Sequence, residues 1–328
     1  MRRPGSAPGP ALGGARGRGL VLGLDVGGSK THAVLSDGAT VLGEVLVGSA
    51  NPSSAGLEEA SRQLAQLFGK LGAAELSAVC AGVAGADSPA ARERFGALLA
   101  GHAQGARVRV VHDAELLLAA AGLATGIALI SGTGSAAWGR APAGATARAG
   151  GWGYLLGDEG SGYGVACQAL RHALGRADRG EGPDALTLRL LAECRRHEPP
   201  QGSRREPPEP APRDPAGLLD LFYRHQDRGF WAARAGLVFE LAADGDAASA
   251  GIVAEAADAL ARLALTVGYR LGIAGPVVLA GGQGVNQPLL QSAVRERLAA
   301  RGMPELRILD GDPVHGAVRL AQELRDRR

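Results

Sequence analysis

An α/β fold in two related units is predicted by the way glycine-rich turns interrupt the apolar segments of this chain. Leu20 to Thr31 reads as a strand buried on both faces that meets a Gly27-Gly28 turn, and the chain returns as a second apolar run, His32 to Leu35. Ile127 to Trp138 repeats that pattern of strand, small-residue turn and strand, and so opens a second unit. Between the two hairpins, strands alternate with segments of helical period, which indicates a mixed sheet.

Each element follows from local pattern. Asp37-Gly38 turns the chain into a third strand, Val41 to Val47, and a Ser/Asn/Pro loop follows. Leu57, Leu64, Leu67, Phe68 and Leu71 recur at helical spacing, predicting a helix from Leu57 to Leu71. Strands are expected at Leu76 to Ala81 and Val108 to Val111, with a helix over Pro89 to Ala100 between them. After the second hairpin comes Gly150 to Gly164, too rich in glycine for a helix interior or a stable strand. Helices are expected at Val165 to Leu174, Ala185 to Arg196, Leu218 to Phe222 and Phe230 to Leu241, and one or two within Ala247 to Leu271. Pro276 to Ala280 is a buried strand running into Gly281-Gly282-Gln283-Gly284. Strand Leu306 to Leu309 and helix Val314 to Leu324 close the chain. Residues 1–18 read as a disordered tail, and Glu198 to Pro215 as a solvated proline-rich loop.

Composition narrows the function classes. With 46% hydrophobic but only 4% aromatic residues, a sizeable core must be built from Leu, Val and Ala. A net charge of +2 from 35 basic and 33 acidic residues provides no field to attract nucleic acid. No apolar run approaches the roughly 20 residues that a membrane span needs. Cys80, Cys167 and Cys194 lie far apart without a CxxC, which fits reduced thiols in a cytoplasmic protein. No GxxxxGK[ST] phosphate loop is present.

The hairpin tips suggest phosphate chemistry. Glycine lets the backbone approach closely, bare amides donate to phosphate oxygens, and Ser29 and Lys30 add a hydroxyl and a positive charge. Asp25, at the end of a buried strand, suits a metal ion held through water. An ordinary Gly-Gly turn would leave the same local pattern. Asp113 falls just past the carboxyl end of a strand, where open α/β sheets place their ligands.

In combination, several motifs resemble the BadF/BadG/BcrA/BcrD-type ATPase family of the actin/hexokinase superfamily, in its N-acetylglucosamine kinase-like branch. They are Gly23-Leu-Asp-Val-Gly-Gly-Ser-Lys-Thr, Val111-His-Asp, Ile130-Ser-Gly-Thr-Gly-Ser, Gly150-Gly-Trp-Gly through Gly157-Asp-Glu-Gly, and Leu279-Ala-Gly-Gly. The resemblance spans Leu20 to Leu324. It implies two actin-like (ribonuclease H-like) domains, 19–112 with helix 314–328 and 113–313, with nucleotide and sugar in a cleft between them. It implies ATP and Mg²⁺, the phosphates at Gly27, Gly28, Ser29, Lys30, Thr133 and Gly134, and the adenosine flanked by Gly281 and Gly282. Asp113 matches the general base, which must reach the acceptor hydroxyl; its position also suits a cap for a helix starting at Ala114.

Asn51, Asp113, Ser135, Gly151, Trp152, Gly153 and Asp158 match positions that contact the sugar. The competing structural roles are a turn for Asn51 before Pro52, a turn for Asp158, and a plain core position for Trp152. Mammalian members of the branch carry asparagine where this chain has Ala136. The expected function is ATP-dependent phosphorylation of N-acetylglucosamine on its 6-hydroxyl. The alternatives are a glucosamine kinase, or an ATPase activator or sugar-sensing regulator without sugar phosphorylation. The cysteines offer no pair for an activator's iron–sulfur cluster. Expected partners are a small amino sugar and ATP, with neither nucleic acid nor membrane, and a homodimer is allowed.

Overall fold

The computed structural model describes residues 19–72, 75–86, 88–196 and 214–327. The expected tail, 1–18, lies outside them, as does all of the expected proline-rich loop except Asp214 and Pro215. The chain divides into two compact units, Met1–Ala120 with Gly311–Arg328, and Ala121–Asp310.

In the first unit, β1 (Leu20–Val26), β2 (Lys30–Ser36) and β3 (Val41–Gly48) form an antiparallel meander. Helices α1 (Pro52–Ala55) and α2 (Leu57–Leu71) follow, then β4 (Leu76–Val83), α3 (Pro89–His102), β5 (Arg107–His112) and α4 (Asp113–Ala120). The sheet order is β3-β2-β1-β4-β5, with β4 parallel to both β1 and β5. Alternation along β1 divides its side chains between two cores. Leu22, Leu24 and Val26 join Leu64, Leu67, Phe95 and Leu99 on one face, and Val21 joins Leu116 and Ala119 on the other.

The second unit repeats this order. Strands β6 (Gly126–Ser131), β7 (Ser135–Arg140) and β8 (Thr146–Gly150) form the meander. Helices α5 (Gly162–Asp178), α6 (Ala185–Arg196), α7 (Pro215–Arg224), α8 (Arg228–Ala232), α9 (Ala235–Ala243) and α10 (Ala247–Leu271) intervene before β9 (Val277–Ala280). Then come α11 (Gly282–Asn286), α12 (Pro288–Ala299) and β10 (Leu306–Ile308), and the sheet reads β10-β9-β6-β7-β8 with β9 parallel to β6 and β10. In both units a meander of three strands is extended by two parallel ones. The Ala-rich run is a single helix, α10. The expected helix Phe230 to Leu241 is split between α8 and α9 around Ala233-Arg234. Helix α5 begins inside the glycine-dense stretch because Ser161 caps it, its Oγ accepting from Gly164 N–H at 3.0 Å. Among the described residues, no helix is long and apolar enough to cross a membrane.

The last helix, α13 (Val314–Asp326), belongs to the first unit. Three glycines let α4 and α13 sink onto the sheet. A Cβ at Gly23 of β1 would strike the backbone of Val318, and one at Gly82 of β4 would strike the Leu116 side chain. A Cβ at Gly316 would collide with the carbonyl oxygen of Leu116. This packing keeps α4 in the first unit, so the division follows Ala120 instead of falling before Asp113. Alanine normally stabilises a helix interior by about 1 kcal/mol relative to glycine. Here the sign reverses: Gly316→Ala and Gly23→Ala should each destabilise the protein by at least about 2 kcal/mol in denaturant titration, because backbone must move to admit the methyl.

Candidate active site

Two carboxylates converge at the carboxyl ends of the first unit's parallel strands. Asp25 lies in register with Gly82, and Val83 with His112, so Asp25 and Asp113 sit at the same edge with β4 between them. Asp113 opens α4, and its Oδ1 accepts from Ala114 N–H at 2.9 Å. His112 Nδ1 lies 2.8 Å from the same oxygen. Oδ2 has no hydrogen-bond partner among the described residues. The helix begins at Asp113 itself and not at Ala114, so Oδ1 is held by the amide of the helix's second residue instead of capping the helix, while Oδ2 stays available.

Asp25 is half-buried; its backbone pairs in the sheet with His32 and Gly82, and no described residue hydrogen-bonds its carboxylate. Burial, reinforced by the charge of Asp113, raises its pKa from 3.8 to about 6, with Asp312 adding and His32 and Lys30 opposing. Such an acidic pair, short of hydrogen-bond donors, is an environment that a divalent cation relieves. His32, Glu44 and Asp312 bring one ligand atom each to within 4.8 Å of one another, and His32 Nε2 already hydrogen-bonds Glu44. Gly28, Ser29 and Lys30 are exposed at the β1–β2 tip, which Gly27 N–H closes onto Lys30 O at 3.0 Å.

Asn51 is only 3% exposed and works for the fold. Its Oδ1 caps α1 by accepting from Ser53 N–H at 3.0 Å, and its Nδ2 donates to Ala84 O at 2.8 Å. This ties the loop after β3 to the end of β4.

In the second unit, the β6–β7 tip, the Asp158 loop and the Gly281 turn are stitched together. Ser135 N–H donates to Asp158 Oδ1 at 3.0 Å, and Ser135 Oγ to Glu159 O at 2.7 Å. Ser131 Oγ donates to Gly160 O at 2.8 Å, and Gln283 Nε2 donates to the same carbonyl at 3.2 Å. A Cβ at Gly132 would touch the Gly281-Gly282 backbone at 3.8 Å, and one at Gly281 would come within 2.5 Å of Ser131 O. Thr133 and Gly134 are thus brought to Gly281 and Gly282, while the Ser135 hydroxyl is spent on the loop.

Asp158 is 5% exposed and adopts a left-handed backbone, φ 67°. Residues 132–136, Gly151, Gly153, Asp158 and Arg228 line a concavity of about 330 Å³. Trp152 is neither a core residue nor part of that lining; it is 64% exposed, with the Arg148 guanidinium 4.8 Å above its ring. Pattern reading misses Arg228, His32 and Asp312, which belong to no motif. Gln283 lay inside the recognised Gly-Gly-Gln-Gly turn, where its side-chain role left no local trace.

Asp25 makes the first unit less stable than it could be. Below its ordinary pKa of 3.8 it is protonated folded or unfolded, so it exerts no effect on stability. Between about 4 and about 6 the unfolded chain releases a proton that the folded chain retains, so stability falls as pH rises, and the loss persists above. In EDTA, Asp25→Asn should therefore be more stable than the parent at pH 7, by up to about 3 kcal/mol, with the gap closing as pH drops to 4. Thermal denaturation at stepped pH measures it; a gap independent of pH would contradict the buried charge.

With this geometry in view, the chain's relatives can be set beside it. It is 43% identical over 171 residues to the N-acetylmuramic acid/N-acetylglucosamine kinase of Clostridium acetobutylicum, a match covering 49% of this chain and 56% of that one. It is 31% identical over 204 residues to the N-acetyl-D-glucosamine kinase of Dictyostelium discoideum, covering 60% and 59%. The matches thus span little more than half the length of these curated relatives. The crystal structure of a candidate N-acetylglucosamine kinase from Chromobacterium violaceum superposes with a TM-score of 0.65 at 24% identity, covering 93% of this chain and 99% of the other, which shows a shared fold. A family profile matches residues 22–321, and the chain belongs to the BadF/BadG/BcrA/BcrD ATPase family.

Proposed function

We propose that this protein is an ATP- and Mg²⁺-dependent amino-sugar kinase that phosphorylates the 6-hydroxyl of N-acetylglucosamine. The observation that carries the reading is Asp113 at the end of β5, with Oδ1 engaged by its own helix and Oδ2 left to a substrate. The names of the two curated relatives support it.

In this reading Asp113 Oδ2 accepts the proton of the acceptor hydroxyl as its oxygen bonds to the γ-phosphorus and the bond to the departing ADP oxygen breaks. The transition state is loose, so orienting the hydroxyl matters as much as removing its proton. The tip that Gly27 closes onto Lys30 offers the amides of Gly28 and Ser29 and the Lys30 ammonium to phosphate oxygens, Thr133 and Gly134 offer theirs, and the Gly281-Gly282 turn flanks the adenosine. Asp158 accepts from sugar hydroxyls through the oxygen that Ser135 does not engage. Asp25 would hold Mg²⁺ through water, and the bound ion would supply positive charge at the phosphates. Asn51 and Ser135 serve by fixing the loops beside these groups. Three free, buried cysteines suit a cytoplasmic setting.

ADP release measured over a panel of acetylated and free amino sugars tests the substrate. Asp113→Asn tests the mechanism: it keeps the oxygen that Ala114 N–H engages but removes the proton acceptor. The kcat should fall by at least about a hundredfold, while sugar binding persists and Tm changes little. Parental turnover in this variant would remove Asp113 from the mechanism. Lost stability with normal turnover would leave it a structural residue of α4.

A further inference from the structure

We propose that His32, Glu44 and Asp312 bind a divalent transition metal of the zinc class, separate from the Mg²⁺ position at Asp25. The ion would clasp the turn before α13 to β2 and β3. The inference goes beyond the kinase reading and does not depend on it.

The three side chains come from three places in the first unit. Register pairs His32 with Leu46 and Val34 with Glu44, so His32 and Glu44 are diagonal neighbours on one face of the meander. Val34 packs on that same face in the layer that α13 covers. Asp312 arrives from the turn entering α13, where its carbonyl accepts His315 N–H at 3.1 Å. One ligand atom from each residue lies within 4.8 Å of the other two. His32 Nε2 is 2.5 Å from Glu44 Oε1, so an ion pair between those two needs no third member. Asp312 brings it only a second negative charge, and no described residue hydrogen-bonds that carboxylate. Asp25, opposite His32 in β1, adds a third. Three carboxylates thus gather around one imidazole and the Lys30 ammonium, an imbalance that a divalent ion corrects.

The donor set selects the class of metal. One imidazole nitrogen with two carboxylate oxygens suits zinc, cobalt or nickel, whereas Mg²⁺ favours an octahedron of oxygens drawn largely from water and phosphate. Zinc lies about 2.0–2.2 Å from such donors, which places the donors themselves about 3.3 Å apart. Glu44 and Asp312 are exposed, so rotation of their side chains reaches that spacing, and water takes the remaining position. An ion held this way joins strands from the start of the chain to the helix at its end.

Calorimetry of the full chain with Zn²⁺ alone, without nucleotide or Mg²⁺, should show one ion bound with micromolar affinity. His32→Gln, Glu44→Gln and Asp312→Asn should each weaken binding by at least about tenfold, and Asp25→Asn should change it far less. With zinc at about a hundredfold its Kd, the parent's Tm should rise by about 5 °C or more, and excess Mg²⁺ should not displace the ion. The Tm of each variant in EDTA reports that it folds. No binding below millimolar zinc, or binding that His32→Gln leaves unchanged, overturns the site. A loss seen only in Asp25→Asn places the ion at the Mg²⁺ position and overturns it as well. Unchanged affinity in Asp312→Asn overturns the clasp, since β2 and β3 alone would then hold the ion. ADP release is measured separately, so the kinase reading stands or falls by itself.

Discussion

Close backbone approach at glycine is the constraint on which the first unit depends. Gly23, Gly82 and Gly316 let α4 and α13 pack onto β1 and β4 with Leu116 wedged between them. The amino end of α4 is Asp113, so the packing that seats Leu116 also sets where that carboxylate lies. A helix held one methyl group farther out would carry its first residue with it. The candidate base is therefore positioned by van der Waals contact in the apolar layer and not by its own hydrogen bonds, which are local to Ala114 and His112.

The two units handle charge differently. In the first, Asp25 and Asp113 share an edge with few donors, and the folded state bears an electrostatic cost. In the second, Asp158 is buried but accepts a backbone N–H and faces a guanidinium. The first arrangement awaits a cation from outside; the second is closer to neutral by itself. Stability and ligand demand are thus coupled most tightly where the proposed phosphoryl chemistry occurs.

The features legible in the sequence were those with a local cause. Both hairpins were readable because an apolar run, a small-residue turn and a second run are contiguous, and α2 because Leu57 to Leu71 keeps one helical face. Strand β8 was not foreseen, since Thr146–Gly150 alternates only alanine with polar residues and exists by pairing with β7. Helix α12 likewise lacks a strong apolar face and is held by Leu290, Val294 and Leu298 in the large core. Among the candidate site residues, Asp25, Asp113, Thr133, Gly134 and Asp158 stood in motifs that a sequence reader can see. Arg228 reaches Asp158 only after the intervening helices have folded, and no spacing rule could reveal it. Trp152 shows the opposite failure: its motif was readable, but its exposure depended on where the surrounding glycines turn.

The first unit is assembled from both ends of the chain, with β1 near the start and α13 near the finish. During synthesis the ribosome delivers the whole of the second unit before Val314 to Asp326 exists to cover Gly23. The second unit is complete in sequence while the first still exposes the apolar layer around Val21, Ala78, Cys80 and Leu116. That layer is an aggregation hazard throughout the interval, and a natural client for chaperones that shield apolar surface. A nascent chain released before α13 emerges would lack the contact that seats Asp113.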